Sequence, residues 1–435
     1  MKNRGNRKVY FVFSRYTHLM TVAWLAGFMT FYLVLTSGCD ITGSGADADP
    51  APPGQMRELT AQEQVLVDGA NHFTFDILHK IAEEIPEQSF FASPLSISMA
   101  FGMALNGADG VTYTQMRDVF GHEGLSNDEI NKAFRDLIRL LTQLDPMVRI
   151  EIANSIWYRQ GFDVLREFLE TNEEYFDAEI AGLDFSDPGA VDIINNWISD
   201  KTNGLIDEML EQIGRDVVMY LINAIYFRAD WTIAFDPDNT RDRPFTTGAG
   251  DQIEVPLMWV RENFRFYRND EWKVVDLEYG EEGDFSFTAF LPADSERLGD
   301  FAGSLTPQVY EAMLSQLERD TVEVFMPRFE IDFDYGSLKD DLESMGLQLP
   351  FDDHRADFSR IHPEAPLYIS DVLHRAVIKV DEQGSEAAAV TVVEGSFLSV
   401  GPSHPVIRLN RPFLFFIREN SSNTILFMGK YAGDG

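Results

Sequence analysis

The chain has 435 residues, of which 45% are hydrophobic and 24% are charged. This balance is typical of a folded globular protein and excludes a wholly disordered, collagen-like or multi-spanning membrane protein. The formal net charge is -36 at pH 7, so we expect neither nucleic acid nor heparin-like polyanions to bind.

The first 38 residues have the pattern of an export signal. A basic stretch without an acidic side chain precedes the almost wholly apolar run 19–35, and small residues then lead to Cys39. The order Leu35-Thr36-Ser37-Gly38-Cys39 resembles a bacterial lipoprotein signal, in which the cysteine is lipidated and becomes the new N-terminus. An uncleaved membrane anchor is the alternative. Both interpretations predict an exported protein, held at the cell envelope or on its extracellular side.

The rest of the chain is predicted to form a tether and one domain. Residues 39–57 are small, polar and rich in Gly and Pro, which is typical of a flexible segment. Residues 58–435 contain no Pro-rich break and no internal repeat, so we predict a single large domain. Because Cys39 is the only cysteine, the chain can form no internal disulfide and no cysteine-rich zinc site, and we expect no metal and no other cofactor.

Helix and strand patterns are mixed along this domain, without β-α-β alternation. A capping box at Thr60 and Glu63 predicts a helix that extends through Ile81. The fold class predicted is α+β, with large mixed sheets and surrounding helices. Two further helices are predicted at 93–105 and 127–144, and strands at 149–158, 217–227, 285–291, 322–329, 367–380 and 412–417.

The sequence lacks the signatures of common enzymes. It contains no G-x-S-x-G elbow, no H-E-x-x-H motif and no phosphate-binding G-x-x-x-x-G-K-[ST] loop. Its eight histidines are scattered rather than placed at metal-ligand spacing. We therefore predict that the protein is not an enzyme.

The segment that follows the strand-like run 367–380 has an unusual alternation. After Asp381-Glu382-Gln383-Gly384, every second residue from Ser385 to Val393 is small or apolar, and the other face carries acids at its ends. Such a segment can lie exposed as a loop or enter a sheet as a strand with its small face buried. A plain alanine-rich linker or a short helix is the alternative that the pattern alone leaves open.

This segment resembles the reactive-loop hinge of serpins, E-x-G-[ST]-E-A-A-A-x-T. Other stretches are also similar to serpin motifs, among them FFASPLSI at 90–97, NSIW at 154–157, LINAIYFRADW at 221–231, MPRF at 326–329 and NRPFLF at 410–415. The resemblance implies a metastable serpin fold with an exposed reactive-centre loop. It assigns the hinge to Glu382, Gly384, Ser385, Glu386, Ala387, Ala388, Ala389 and Thr391.

The resemblance also implies a mechanism. A protease cleaves the loop as a substrate, and the N-terminal part of the loop then enters the main sheet and traps the enzyme before deacylation. Insertion requires small, uncharged side chains on the buried face, and Gly384 is expected to supply backbone freedom at the turn. Two further sites are implied: a shutter of Ser93, Ser96, Asn223 and His374, and a breach, where insertion begins, of Trp231, Arg328 and Glu382.

The scissile bond is predicted from the length of the hinge. In the family, the specificity residue usually stands sixteen positions after the residue that matches Glu382, which gives Leu398-Ser399, with Phe397-Leu398 as the runner-up. Either bond offers an apolar side chain, so the expected target is a chymotrypsin-like, elastase-like or subtilisin-like protease. A cysteine-protease target and a non-inhibitory carrier or chaperone role stay open. We expect a monomer.

Overall fold

The computed structural model describes residues 7–9, 57–293, 298–385 and 404–434. Cys39, the hinge residues Glu386 to Thr391, and Phe397, Leu398 and Ser399 lie outside the described residues. The helices are α1 (Ala61–Glu84), α2 (Pro94–Leu105), α3 (Gly110–Val119), α4 (Asn127–Gln143), α5 (Arg166–Phe176), α6 (Gly189–Lys201), α7 (Leu298–Ser304), α8 (Pro307–Leu314) and α9 (Lys339–Ser344).

The strands form two large sheets and one short pair. They are β1 (Arg7–Val9), β2 (Phe90–Ala92), β3 (Val148–Arg159), β4 (Glu179–Leu183), β5 (Met219–Asp230), β6 (Arg241–Thr246), β7 (Gln252–Arg268), β8 (Trp272–Tyr279), β9 (Phe285–Pro292), β10 (Glu318–Pro327), β11 (Phe329–Ser337), β12 (Leu367–Ile369), β13 (Leu373–Val380), β14 (Gly384–Ser385), β15 (Val406–Arg408), β16 (Phe413–Glu419) and β17 (Ile425–Tyr431).

Both large sheets are mixed. The six-stranded sheet has the order β11-β13-β14-β5-β3-β4, and its β3–β4 pair is parallel. The nine-stranded sheet has the order β15-β10-β7-β8-β9-β16-β17-β2, with β6 paired to β7, and its β10–β15 pair is parallel. The predicted α+β class with mixed sheets and surrounding helices is confirmed.

The main core is aromatic and lies between the sheets and the first helices. The Phe91 ring stacks on Phe427 and Phe415, with centroids 5.0 and 6.0 Å away, and α2 packs against β5 and β17. The hydroxyl of Ser93 caps α2 by accepting from the amide of Ser96, and Pro94 occupies the first helical turn, where it needs no hydrogen-bond acceptor. This buried start of α2 holds the helix under the middle of the six-stranded sheet.

Two of the predicted strands were wrong in extent. The strand predicted at 322–329 ends at Pro327, and Phe329 already begins β11 in the other large sheet. The strand predicted at 367–380 is broken between Ile369 and Leu373. Apolar residues stand on both sides of each break, with only Arg328 at the first and Ser370-Asp371 at the second between them. So short a polar interruption does not reveal that the chain changes partners.

Within the described residues, no helix combines the length and the apolar character needed to cross a membrane.

Candidate functional site

The start of the predicted hinge lies inside the six-stranded sheet. Gly384 and Ser385 form β14, which pairs with Val380 of β13 on one side and with Ala229 and Asp230 of β5 on the other. Among the described residues, β14 is the strand that connects β13 to β5. The hinge therefore begins as a short strand between the two strands that a longer insertion would have to separate.

Gly384 is required here by a close approach of two backbones. A Cβ atom at this position would lie 2.0 Å from the carbonyl oxygen of Ala229 and 2.8 Å from the Cα of Asp230. Gly384 is not among the residues with positive φ, so the backbone freedom expected from the sequence is not what the position demands. Any side chain at this position would push β14 away from β5.

Ser385 is fixed by a buried hydrogen bond to Tyr279. The two hydroxyl oxygens lie 2.6 Å apart, and Ser385 is 1% exposed. The Tyr279 ring stacks on Trp231 with centroids 4.3 Å apart. Burial raises the pKa of Tyr279 well above its usual range, so its hydroxyl stays protonated. No motif or pattern in the sequence marks Tyr279 as a partner of the hinge.

The turn before β14 is held by the chain that follows β5. The Trp231 amide donates to the carbonyl of Gln383 at 2.7 Å, and the Phe235 amide donates to the carbonyl of Glu382 at 2.8 Å. The indole Nε1 of Trp231 donates to the carbonyl of Asp381 at 3.0 Å. Through these bonds Trp231 fixes the turn that precedes β14.

Glu382 is a buried carboxylate with two polar neighbours. It is 6% exposed, and its Oε1 accepts a hydrogen bond of 2.6 Å from the Thr240 hydroxyl. A guanidinium nitrogen of Arg328 lies 3.7 Å from the same oxygen, within ion-pair distance. The structure thus brings together the three residues predicted for the breach, and it adds Thr240.

The four predicted shutter residues also meet. The amide of Ser93 donates to Nε2 of His374 at 3.1 Å, and the Ser93 hydroxyl donates to the carbonyl of Leu426 at 2.8 Å. The Ser96 hydroxyl donates to the carbonyl of Asn223 at 3.3 Å. Since Asn223 lies on β5 and His374 on β13, α2 holds both strands through these bonds.

His374 is neutral in the fold. Because Nε2 accepts from an amide, the ring proton belongs on Nδ1. Burial lowers the pKa of His374 to about 4, although Asp334 opposes the shift. The imidazole can therefore accept from Ser93 across the neutral pH range.

A slot runs between β5 and β13 below Ser385. A cavity of about 70 Å³ is lined by the shutter residues and by both strands. A second cavity of about 20 Å³ is lined by Ser385, Ile225 and Val377, and it shares the last two with the first. The Oδ1 atom of Asn223 is buried there without a partner in the described part of the chain. The sheet thus has unfilled space and an unused acceptor on the path of an incoming strand.

Asn154 is a further polar residue of this region. Its Oδ1 accepts a hydrogen bond of 2.7 Å from the side-chain amide of Asn223, and its own side-chain amide donates to the backbone carbonyl of Phe176 at 2.8 Å. It belongs to the NSIW stretch, but the sequence alone gave it no separate role. Across residues 57–293, 298–385 and 404–434, no group of three or more His, Cys, Asp or Glu side chains is arranged to hold a metal ion.

Comparisons with known proteins agree with this architecture. The family model described as "Serpin (serine protease inhibitor)" matches residues 68–433. Human antithrombin-III is 35% identical over 355 residues, which cover 79% of this chain and 76% of that protein. Iripin-5 of Ixodes ricinus is 32% identical and covers 83% of this chain and 92% of its own length.

Two solved structures show the same fold. The thermophilic serpin tengpin in its native state has a TM-score of 0.77 at 30% identity and covers 88% of this chain and 97% of its own. Human thyroxine-binding globulin with bound ligand has a TM-score of 0.76 at 27% identity, with coverage of 85% and 98%.

Proposed function

Because the chain belongs to the serpin family of serine protease inhibitors, we propose that it inhibits serine-type endopeptidases as a suicide substrate. The observation that carries the proposal is the placement of Gly384 and Ser385 between β13 and β5, directly above the slot. Because the first residues of the loop already lie in the sheet, insertion after cleavage would lengthen the existing strand β14 rather than begin a new strand.

The energetics support an irreversible trap. An inserted strand of about 14 residues spans roughly 45 Å at about 3.3 Å per residue. With about 1 kcal/mol for each ladder hydrogen bond, insertion would contribute roughly 10 kcal/mol. This is of the order of the whole stability of a domain, so the inserted state would not return on the time scale of inhibition.

We place the cleaved bond at Leu398-Ser399, with Phe397-Leu398 as the runner-up. The apolar side chain favours chymotrypsin-like, elastase-like or subtilisin-like enzymes, because a trypsin-like pocket would leave its acid unpaired. A cysteine protease with an apolar pocket is the other target class. In this proposal the protein provides a loop that the protease cleaves and a sheet that opens to accept the loop. It is therefore an inhibitor and not an enzyme.

A carrier role is less well supported. One structural neighbour, human thyroxine-binding globulin, is complexed with its ligand, so the fold can serve such a role. In the present chain the larger cavity holds about 70 Å³, whereas pockets for drug-sized ligands measure about 300–1,000 Å³. The hinge sequence, with small residues at each buried position, favours insertion instead.

We further propose that residues 1–38 are removed as a signal and that Cys39 carries lipid. Residues 39–57 would then act as a tether for the inhibitor domain at 58–435, outside the cytoplasm and as a monomer. The support is the order of basic, apolar and small residues before the only cysteine.

The deciding experiment is incubation with a panel of proteases of different specificity. An inhibitory serpin gives a covalent complex that survives SDS, together with a released C-terminal peptide whose mass defines the cut. Cleavage without a stable complex by every protease would refute the inhibitory proposal and favour a carrier or chaperone.

A further inference from the structure

Basic side chains gather where the described chain resumes after residues 386–403. Lys273 of β8 donates through Nζ to the carbonyl of Val406, at the start of β15, at 3.3 Å. Arg268 of β7 is the register partner of Lys273, and Arg408 ends β15. We call Arg268, Lys273, Arg408 and Arg411 the basic cluster. Burial is the main cause that lowers the pKa of Lys273, and repulsion by Arg411, Arg268 and Arg408 lowers it further.

The cluster differs from two other cations of β7, Arg261 and Arg265. Arg261 pairs with Glu323 at 2.7 Å, and Arg265 lies 3.3 Å from Asp276. By contrast, Arg268, Lys273 and Arg408 form no ion pair with any acid among the residues that the structure describes. In a chain with about twice as many acids as bases, these three positions carry positive charge without an ion-pair partner in the described part of the chain, although Asp270 and Glu271 lie in the turn between Arg268 and Lys273.

Aromatic contact extends and orders this positive surface. The guanidinium of Arg408 lies 4.5 Å from the centroid of the Phe325 ring, and that of Arg243 lies 5.2 Å from the same centroid. A guanidinium held over a ring keeps its hydrogen-bond donors while losing conformational freedom. Arg243 and Arg408 are both exposed. The side chains are therefore positioned to receive carboxylates.

The cluster contacts the chain seven residues after the proposed scissile bond, at Val406. Val406 follows Ser399 by seven positions, which a fully extended chain spans in at most about 25 Å. A protease of about 250 residues has a radius of gyration of about 18 Å. An enzyme seated on Leu398-Ser399 is consequently large enough to reach the cluster with the surface beside its active-site cleft.

We propose that the basic cluster is a docking surface for an acidic patch beside the active-site cleft of the target protease. This rests on the inhibitory function proposed above and adds the charge of the partner. A folded protease fits better than a long polyanion, because a polyanion would extend beyond the cluster over a chain of net charge -36. At physiological salt the Debye length is about 8 Å, so a docked protease would respond mainly to the local positive charge.

The test compares two proteases that share apolar primary specificity but carry opposite charge around the cleft. Rates of inhibition and the number of inhibitor molecules consumed per enzyme are measured from low to high salt. The variant is Arg268→Glu with Arg408→Glu. The matched control is Arg139→Glu with Arg166→Glu, which makes the same change of charge at exposed positions of α4 and α5. Arg268→Lys with Arg408→Lys tests rescue by charge.

We expect the reversal to slow inhibition of the acidic protease about tenfold at low salt, with less effect at high salt and an unchanged stoichiometry. The lysine variant and the control should stay near the wild type. An equal loss in the control, or no loss in the reversal, would overturn the proposal. The proposal would also be overturned by a second result. In it, the wild type is retained on immobilised heparin, the charge reversal abolishes this retention, and the rates of protease inhibition are unchanged.

Failure of the inhibitory function would be visible separately. If the wild type forms no SDS-stable complex with either enzyme, the function proposal fails. The docking surface is then tested by the Kd for the acidic protease inactivated by a Ser→Ala change at its nucleophile. Weaker binding by the reversal than by the wild type supports docking, and equal binding refutes it.

Discussion

The hydroxyl groups of Ser385 and Tyr279 share a hydrogen bond of 2.6 Å that joins the two large sheets. Ser385 belongs to β14 of the six-stranded sheet, whereas Tyr279 ends β8 of the nine-stranded sheet. Tyr279 also forms an isolated bridge with Trp231, just beyond β5. The first side chain of the predicted hinge that lies in the sheet is thus anchored where the two sheets meet.

The close approach at Gly384 gives the first prediction. Gly384→Ala places a Cβ atom 2.0 Å from the Ala229 carbonyl oxygen, so β14 must move out of the sheet. We expect the free energy of unfolding to fall by about 1–3 kcal/mol and the hinge to become more sensitive to proteolysis. Urea unfolding and limited proteolysis with mass analysis would measure the two effects.

Gly303→Ala is the matched control for this change. Gly303 lies in α7 and an added Cβ there meets nothing within 4 Å, so the substitution should leave stability equal or slightly higher. If Gly384→Ala and Gly303→Ala have the same urea midpoint, the two backbones are not in contact at β14.

The shutter histidine gives a prediction for pH. The folded-state pKa of His374 is about 4, below its ordinary value of 6.5. Below pH 6.5 the unfolded chain therefore binds a proton that the folded protein does not. The contribution of neutral His374 to the free energy of unfolding is fully present above pH 6.5. It is lost as the pH falls towards 4, by up to about 3 kcal/mol. His122, whose pKa burial also lowers to about 4, adds a loss in the same window.

Unfolding measured at intervals from pH 7.5 to 4.5 would check this dependence. His374→Gln keeps an acceptor for the Ser93 amide but does not titrate, so its stability should fall less steeply with acid. His354→Gln, at a side chain that is 79% exposed, serves as the control. Parallel pH curves for the wild type and His374→Gln would show that His374 does not titrate in this window.

The predicted breach and shutter residues, with the exception of His374, each lie within a stretch that resembles a family motif, so the sequence was able to nominate them. Thr240 and Tyr279 could not be found in this way. Thr240 meets Glu382 across 142 positions of chain, and Tyr279 meets Ser385 across 106. Neither residue belongs to a periodic pattern that differs from ordinary strand or loop, so only the tertiary structure reveals these contacts.

The hinge pattern allowed a strand or a loop, and the described part, Gly384–Ser385, is a strand. What the pattern could not give is the reason for the glycine. Backbone freedom is the common use of glycine in a turn, whereas here the neighbouring strand leaves no room for a side chain. Packing between strands that are distant in sequence decides such a position.

Insertion of the loop can be blocked without preventing cleavage. We expect Thr391→Arg or Ala387→Pro to turn the inhibitor into a substrate, because arginine would bury an unpaired charge and proline would remove a ladder donor. The measurement is the number of inhibitor molecules consumed per protease inactivated, which should rise severalfold. Ala388→Glu, on the opposite face of the predicted strand, should leave this number near the wild-type value. An unchanged number in both blocking variants would contradict the insertion mechanism.

The predicted anchor depends on Cys39. Bacterial lipoproteins carry several acyl chains, which stable anchoring requires because a single chain binds only marginally. In cells expressing Cys39→Ser, we expect the protein to leave the membrane fraction, with Ser37→Ala as a control that keeps the cysteine. If the mature N-terminus and the membrane retention of Cys39→Ser match those of the wild type, the lipoprotein interpretation is wrong.

Leu398 is expected to decide which protease attacks, since the residue before the cut enters the primary pocket of the enzyme. Leu398→Arg should shift inhibition from chymotrypsin-like or subtilisin-like enzymes to trypsin-like ones, because a charged pair replaces an apolar contact. The hinge is unchanged, so the number of inhibitor molecules consumed per enzyme should stay low with the new target. Phe397→Arg is the matched comparison, and the mass of the released peptide locates each cut. Wild-type cleavage after Phe397, or a switch to trypsin-like targets in Phe397→Arg alone, would move the scissile bond by one residue and leave the trapping mechanism intact.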